Sequence, residues 1–211
     1  KLFLVLLINL TALFASDFQG TVYFDENSNG IKDSYEKGIW GISVSDGINV
    51  IKTNQEGKFS LPGTSKTKFI FITTPPGYQP VTKFYIPAEK SEKQYQFGLK
   101  KHPLSAEKTI RFIQITDTET FEDKGWIQPI REYGENENVS FLIHTGDICY
   151  EKGLNFHYSN INKETMGLPV YYCIGNHDLV KGDYGEQLYE SLFGPVYYSF
   201  EAGNYHFIVT P

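Results

Sequence analysis

The spacing of apolar residues changes once along this chain, near Lys100, and the change divides it into two parts of different architecture. Before that point apolar residues fall in short alternating runs, at 21–24, 42–45, 49–53, 58–61, 68–73, 83–86 and 94–97. Gly, Pro, Asn and Asp cluster between the runs, as in GTVYFDENSNG and TTPPGYQP. Period-two runs punctuated by turn residues predict a small antiparallel β-sandwich over residues 17–100. After a linker at 101–107, marked by His102-Pro103, three near-continuous apolar runs take over: TIRFIQIT, SFLIHT and PVYYCI. Polar segments around 126–133 and 155–166 lie between them and read as helices. Strands buried on both faces with helical crossovers predict an α/β domain over residues 108–211.

Ahead of both parts, within residues 1–16, an apolar run from Leu2 to Ala15 follows Lys1, is broken only by Asn9 and Thr11, and ends in the small residues Ala15 and Ser16. It is shorter than the roughly 20 apolar residues a membrane-spanning helix needs. It therefore reads as a secretory signal peptide, with export to the periplasm, the cell surface or the medium, and no transmembrane span. A buried terminal helix or strand is the alternative. Cys149 and Cys173 could pair in an oxidising compartment, or remain two buried free thiols.

Charge follows the same boundary. Residues 17–100 carry 10 Lys+Arg against 9 Asp+Glu, whereas residues 101–211 carry 8 against 16. With a net charge of −6, the chain lacks the basic face of a nucleic-acid coat protein. An acidic segment is either a solvated surface or a place where carboxylates hold cations.

Residues 25–36 read DENSNGIKDSYE. Asp25, Asn27, Asn29, the carbonyl of Ile31, Asp33 and Glu36 fall at places 1, 3, 5, 7, 9 and 12 of a calcium loop, with Gly30 at place 6. A strand rather than a helix leads into it, so a paired EF-hand is not expected. An Asx-rich turn without metal is the alternative. With TNQEGKFSLPG and PPGY downstream, the stretch resembles the calcium-binding B-type repeats of bacterial surface proteins. That resemblance implies an Ig-like sandwich stiffened by a structural Ca ion.

Three short motifs close the three apolar runs of the second part: Asp117-Thr118-Glu119, Gly146-Asp147 with Tyr150, and Gly175-Asn176-His177-Asp178. In an open α/β sheet, loops at the carboxyl ends of strands converge on one crevice. Hard oxygen donors gathered there suit Mn, Fe, Zn or Mg. The motifs, together with QLYESLFGPVYYSFEAGNYHFIV, resemble the calcineurin-like metallophosphoesterases over residues 108–211. The resemblance implies an αββα-type hydrolase acting on a phosphorylated small-molecule or macromolecular substrate. It makes Asp117 a ligand of a first divalent metal, Asp147 the bridge, and Asn176 a ligand of the second. His177 becomes the catalytic contact to the phosphate, oriented by Asp178.

Two departures accompany the resemblance. Glu119 stands where the family has His, which would give the first metal a carboxylate, a water-mediated contact or nothing. GDICY also matches the GDxxY of purple acid phosphatases, which would make Tyr150 a ferric ligand; a tyrosine packed beside the site is the alternative. The family's later lone His and GHxH do not occur by Pro211. The expectation is thus a catalytic domain without its carboxyl-terminal half, inactive alone, with a non-catalytic binding module as the rival reading. Of the other histidines, His144 reads as a satisfied core residue, His157 as either a cleft or a helix-surface residue, and His206 as packed in its strand.

Overall fold

A computed structural model describes residues 17–64, 66–89 and 94–211, so the expected signal peptide lies outside the described residues. The first part holds eight strands: β1 (Phe18–Phe24), β2 (Ser43–Ser45), β3 (Val50–Lys52), β4 (Lys58–Leu61), β5 (Phe69–Ile72), β6 (Tyr78–Pro80), β7 (Tyr85–Pro87) and β8 (Tyr95–Lys101). They form two four-stranded sheets, ordered β4-β1-β8-β6 and β3-β2-β5-β7. Alternation builds the core between them. Phe59 and Leu61 of β4 point inward while Lys58 and Ser60 stay exposed, and they meet Val22, Leu99, Val44, Ile70 and Ile72. Burying each large aliphatic or aromatic side chain contributes about 1.5–3 kcal/mol.

One pairing departs from the expected antiparallel sandwich: β1 and β8 run parallel, with Val22 opposite Phe97. A parallel pair needs a long crossover, and the six intervening strands provide it. Alternation in sequence carries no information about strand direction. Nor did it reveal β6, which lies in a stretch read as turn. This strand is an edge strand beside β8, where Pro80 is tolerated because no neighbour needs its missing N–H.

In the second part β9 (Phe112–Ile115), β10 (Phe141–His144) and β11 (Val170–Tyr172) form a parallel sheet ordered β11-β10-β9. Helix α1 (Ile127–Asn136) connects the first pair. The expected single helix at 155–166 is instead α2 (Tyr150–Asn160) and α3 (Lys163–Met166). The break has a local cause. Asn162 Oδ1 accepts the N–H groups of Glu164 and Thr165, and Thr165 Oγ1 accepts the N–H of Asn162, which starts a new helix there. Helix α4 (Gln187–Phe193) and the hairpin of β12 (Tyr198–Ala202) and β13 (Tyr205–Val209) complete the chain.

The two parts share a core. Phe71 and Tyr85 from the first sit in one cluster with Phe141, Tyr171, Tyr198 and Phe200 from the second. The Phe200 ring stacks on Tyr171 with centroids 3.7 Å apart. The connection at 101–107 is packed as well: buried His102 donates from Nε2 to the Ser140 carbonyl at 2.8 Å, and Ser105 Oγ accepts the Gly77 N–H. Among the described residues no helix is long and apolar enough to cross a membrane.

Candidate metal centre

The three motifs follow β9, β10 and β11 directly, so parallel alignment puts their loops at one end of the sheet. Backbone bonds knit the loops together. Asp117 N–H donates to Gly146 O at 3.0 Å, Glu119 N–H to Asp147 O at 3.4 Å, and His177 N–H to Asp147 Oδ1 at 3.2 Å. Five non-glycine residues in these loops have left-handed φ: Asp117 at 51°, Glu119 at 40°, Asp147 at 54°, Cys149 at 79° and Tyr150 at 52°. Each costs on the order of 1–2 kcal/mol and persists only where surrounding structure enforces it. The glycines serve this crowding. A Cβ on Gly146, itself at φ +96°, would stand 2.7 Å from Gly175 N, and one on Gly175 would stand 2.2 Å from Asp147 Oδ1.

Asp117, Glu119 and Asn176 are exposed at this end, and Asp147 is half-buried. Glu119 Oε1 lies 2.9 Å from His177 Nδ1, a pair joined across 58 residues of chain. The Tyr150 ring stacks on His177 at 6.1 Å and 7°. Cys149 joins them too: its Sγ, a Glu119 carboxylate oxygen and a His177 ring nitrogen lie within 4.8 Å of one another. Nothing in the sequence reading marked Cys149 as a site residue. It and Cys173 are free thiols rather than a pair, and both are half-buried. Partial burial, then the neighbouring carboxylates Glu119, Asp178 and Asp147, push the Cys149 thiol up.

Asp178 does not orient His177. Its buried carboxylate accepts the N–H groups of Ile148 at 2.8 Å, Cys149 at 3.0 Å and Gly175 at 2.9 Å, tying the second loop to the third. Burial raises its pKa, with the three N–H donors opposing the shift. Glu119 is the carboxylate that holds the His177 ring. The reason is tertiary: the family resemblance implied Asp178, whereas in the short helix 176–178 that carboxylate is buried and taken up by backbone N–H groups.

Two other histidines correct the sequence reading. His157 is neither in a cleft nor on a surface; it is fully buried within α2, as is His144 at the end of β10. Burial pushes His144 down to about 3 and lowers His157 as well. His206 is exposed rather than packed, 3.5 Å from Glu201, because β13 turns it to the solvent face of the hairpin.

The donor set fits divalent cations. The loops carry the carboxylates of Asp117, Glu119 and Asp147 and the amide of Asn176, donor types that suit Mn, Mg, Fe or Zn. Among the described residues, the ligand atoms of His, Cys, Asp and Glu that gather in threes within 4.8 Å are those of Glu119, Cys149 and His177. Residues 110–209 match the family described as Calcineurin-like phosphoesterase, and residues 26–102 match the one described as N terminal of Calcineurin-like phosphoesterase. Among solved structures, the chain is similar to a purple acid phosphatase isolated from yellow lupin (Lupinus luteus) seeds, at 12% identity and a TM-score of 0.39. That match covers 81% of this chain and 40% of the lupin chain, so this chain spans less than half of that protein's length. No curated protein matches it.

Proposed function

We propose that this chain, whose residues 26–102 and 110–209 match the N-terminal and catalytic family models of calcineurin-like phosphoesterases, hydrolyses phosphate esters with two divalent cations held at its strand ends. The observation that supports this most is that the loops carrying Asp117, Asp147 and His177 are bonded to one another at one end of a parallel sheet. Asp117 is assigned to the first cation, Asp147 to the bridge and Asn176 to the second. Glu119 meets His177 through Oε1, and its other oxygen is assigned to the first cation. When bound, such a pair supplies a hydroxide at neutral pH and neutralises phosphoryl oxygens. That neutralisation is how an acidic segment accepts an anionic substrate.

His177 handles the leaving group. Glu119 Oε1 on Nδ1 orients the ring, and Nε2 is the nitrogen left to pass a proton to the departing oxygen. The ring stack with Tyr150 limits its rotation. With purified protein, Mn2+ should drive hydrolysis of p-nitrophenyl phosphate or its diester. Asp147→Asn should lower that turnover at least about a hundredfold, since second-shell changes alone cost 10–100-fold. Cation-independent turnover, or an Asp147→Asn variant as active as the parent, would sink the reading.

Calcium in the first part belongs to the same proposal. Asp25 and Glu36 are 1% and 5% exposed, unusual burial for carboxylates on a surface loop. Asp25 accepts the N–H groups of Asn29 and Gly30, and Glu36 those of Glu26 and Asp33, so the loop is already closed. Asn27, Asn29 and Asp33 converge, both amides donating to Asp33 Oδ2. Chelation should lower the melting temperature; an unchanged value removes calcium. Export directed by residues 1–16 completes the proposal, with cell fractionation as its test.

A further inference from the structure

Thr118 sits between Asp117 and Glu119, both in left-handed backbone, and its hydroxyl lies between two fully buried imidazoles. Thr118 Oγ1 is 2.9 Å from His144 Nε2 and 2.8 Å from His157 Nε2. The outer ring nitrogens end on backbone groups: Gly146 N–H reaches His144 Nδ1 at 3.2 Å, and His157 Nδ1 lies 2.9 Å from Gly153 O. Those two ends determine every proton in the chain. A backbone N–H only donates, so His144 Nδ1 accepts and its Nε2–H donates to Thr118. A carbonyl only accepts, so His157 Nδ1–H donates and its Nε2 accepts the Thr118 hydroxyl proton.

The chain of bonds therefore runs Gly146, His144, Thr118, His157, Gly153, with each donor and acceptor used once. It joins the loop after β9 to the loop after β10 and to the middle of α2. We propose that Thr118 is the positioning residue of the metal centre: its hydroxyl, clamped between His144 and His157, holds the strained backbone that carries Asp117 and Glu119. The consequence for cation binding rests on the proposed function. The clamp itself does not.

A hydroxyl is required, because only a group that both accepts and donates completes the sequence. Thr118→Val keeps the shape but leaves the His144 Nε2–H and the His157 Nε2 lone pair buried without partners. Thr118→Ser keeps the hydroxyl. His157→Asn keeps a donor near Gly153 and removes the bond to Thr118 together with the ring's contacts to Trp126 and Phe156. Mn2+ affinity, by calorimetry, and amide exchange at Asp117 and Glu119, by NMR without metal, read the two consequences. Thr118→Val should weaken Mn2+ binding about tenfold or more and speed exchange at both amides. His157→Asn should do the same to a smaller degree, and Thr118→Ser should stay within about threefold of the parent.

A folded Thr118→Val variant with parental exchange and affinity overturns the proposal, and so does a Thr118→Ser variant as impaired as the valine. If Thr118→Val does not fold, the serine and His157→Asn variants carry the same decision. If the parent itself takes up no Mn2+, the phosphoesterase reading fails, while unchanged exchange in the variants would separately overturn the clamp.

Discussion

Gly175 shows how little room the centre leaves at the level of single residues. An added methyl would meet Asp147 Oδ1 at 2.2 Å and Asp147 N at 2.3 Å, both in the loop that carries the proposed bridge. Gly175→Ala should move that carboxylate, weakening Mn2+ binding about tenfold and costing about 1–3 kcal/mol in urea unfolding. A parental Mn2+ affinity would show that the loops can separate without disturbing the ligand. Tyr150→Phe tests the opposite kind of contact. The ring stack on His177 survives without the hydroxyl, so Mn2+ affinity should stay within about twofold. A tenfold loss would place the phenolic oxygen on the cation. At this scale the motif residues were legible because each follows an apolar strand, but their pairings were not. Glu119 rather than Asp178 reaches His177, across a distance in sequence that no local spacing encodes.

Among the elements, the strands were the more legible class. Alternation at 58–61 and the apolar runs TIRFIQIT, SFLIHT and PVYYCI are local signals, and each holds a strand. Helix boundaries were less so. The polar stretch after β10 contains a break at Ile161-Asn162 that a broad helical reading passes over. Asn162→Ala removes both N–H acceptances at that break and should cost about 1 kcal/mol, measured by urea unfolding with an unchanged m-value. No loss would mean that packing of Met166, buried in the core, sets the start of α3 on its own. Strand direction is the clearest case of information absent locally. The β1–β8 pair is parallel because of where the intervening six strands carry the chain.

For the molecule as a whole, the shared aromatic core and three buried histidines set the response to pH. Burial lowers His102, His144 and His157, His144 to about 3, so the folded protein refuses protons that the unfolded chain accepts near 6.5. Stability is then fully present above about pH 6.5 and is lost as pH falls toward 3, at up to about 1.4 kcal/mol per pH unit for His144. Asp178, raised by burial, has the opposite sign and offsets part of the loss near pH 4. Melting temperature should therefore fall between pH 6.5 and 4.5, above the range where most carboxylates take up protons. A flat profile there would mean that these imidazoles titrate in the folded state. Because Phe71 and Tyr85 are buried with Phe141 and Phe200, both parts should melt in one transition.

By itself the sequence determined the division at Lys100, the strand candidates and the three motifs that bear the chemistry, since each of these is written in neighbouring residues. Tertiary structure alone decided that β1 and β8 run parallel, that 101–107 is packed against Ser140, and that His157 is buried beside His144. It also decided which carboxylate holds His177 and that one threonine hydroxyl joins two loops and a helix. The physical reason is the same throughout. Periodicity and turn chemistry act between residues a few places apart, whereas hydrogen bonds and burial act between whatever the fold brings within about 3–4 Å.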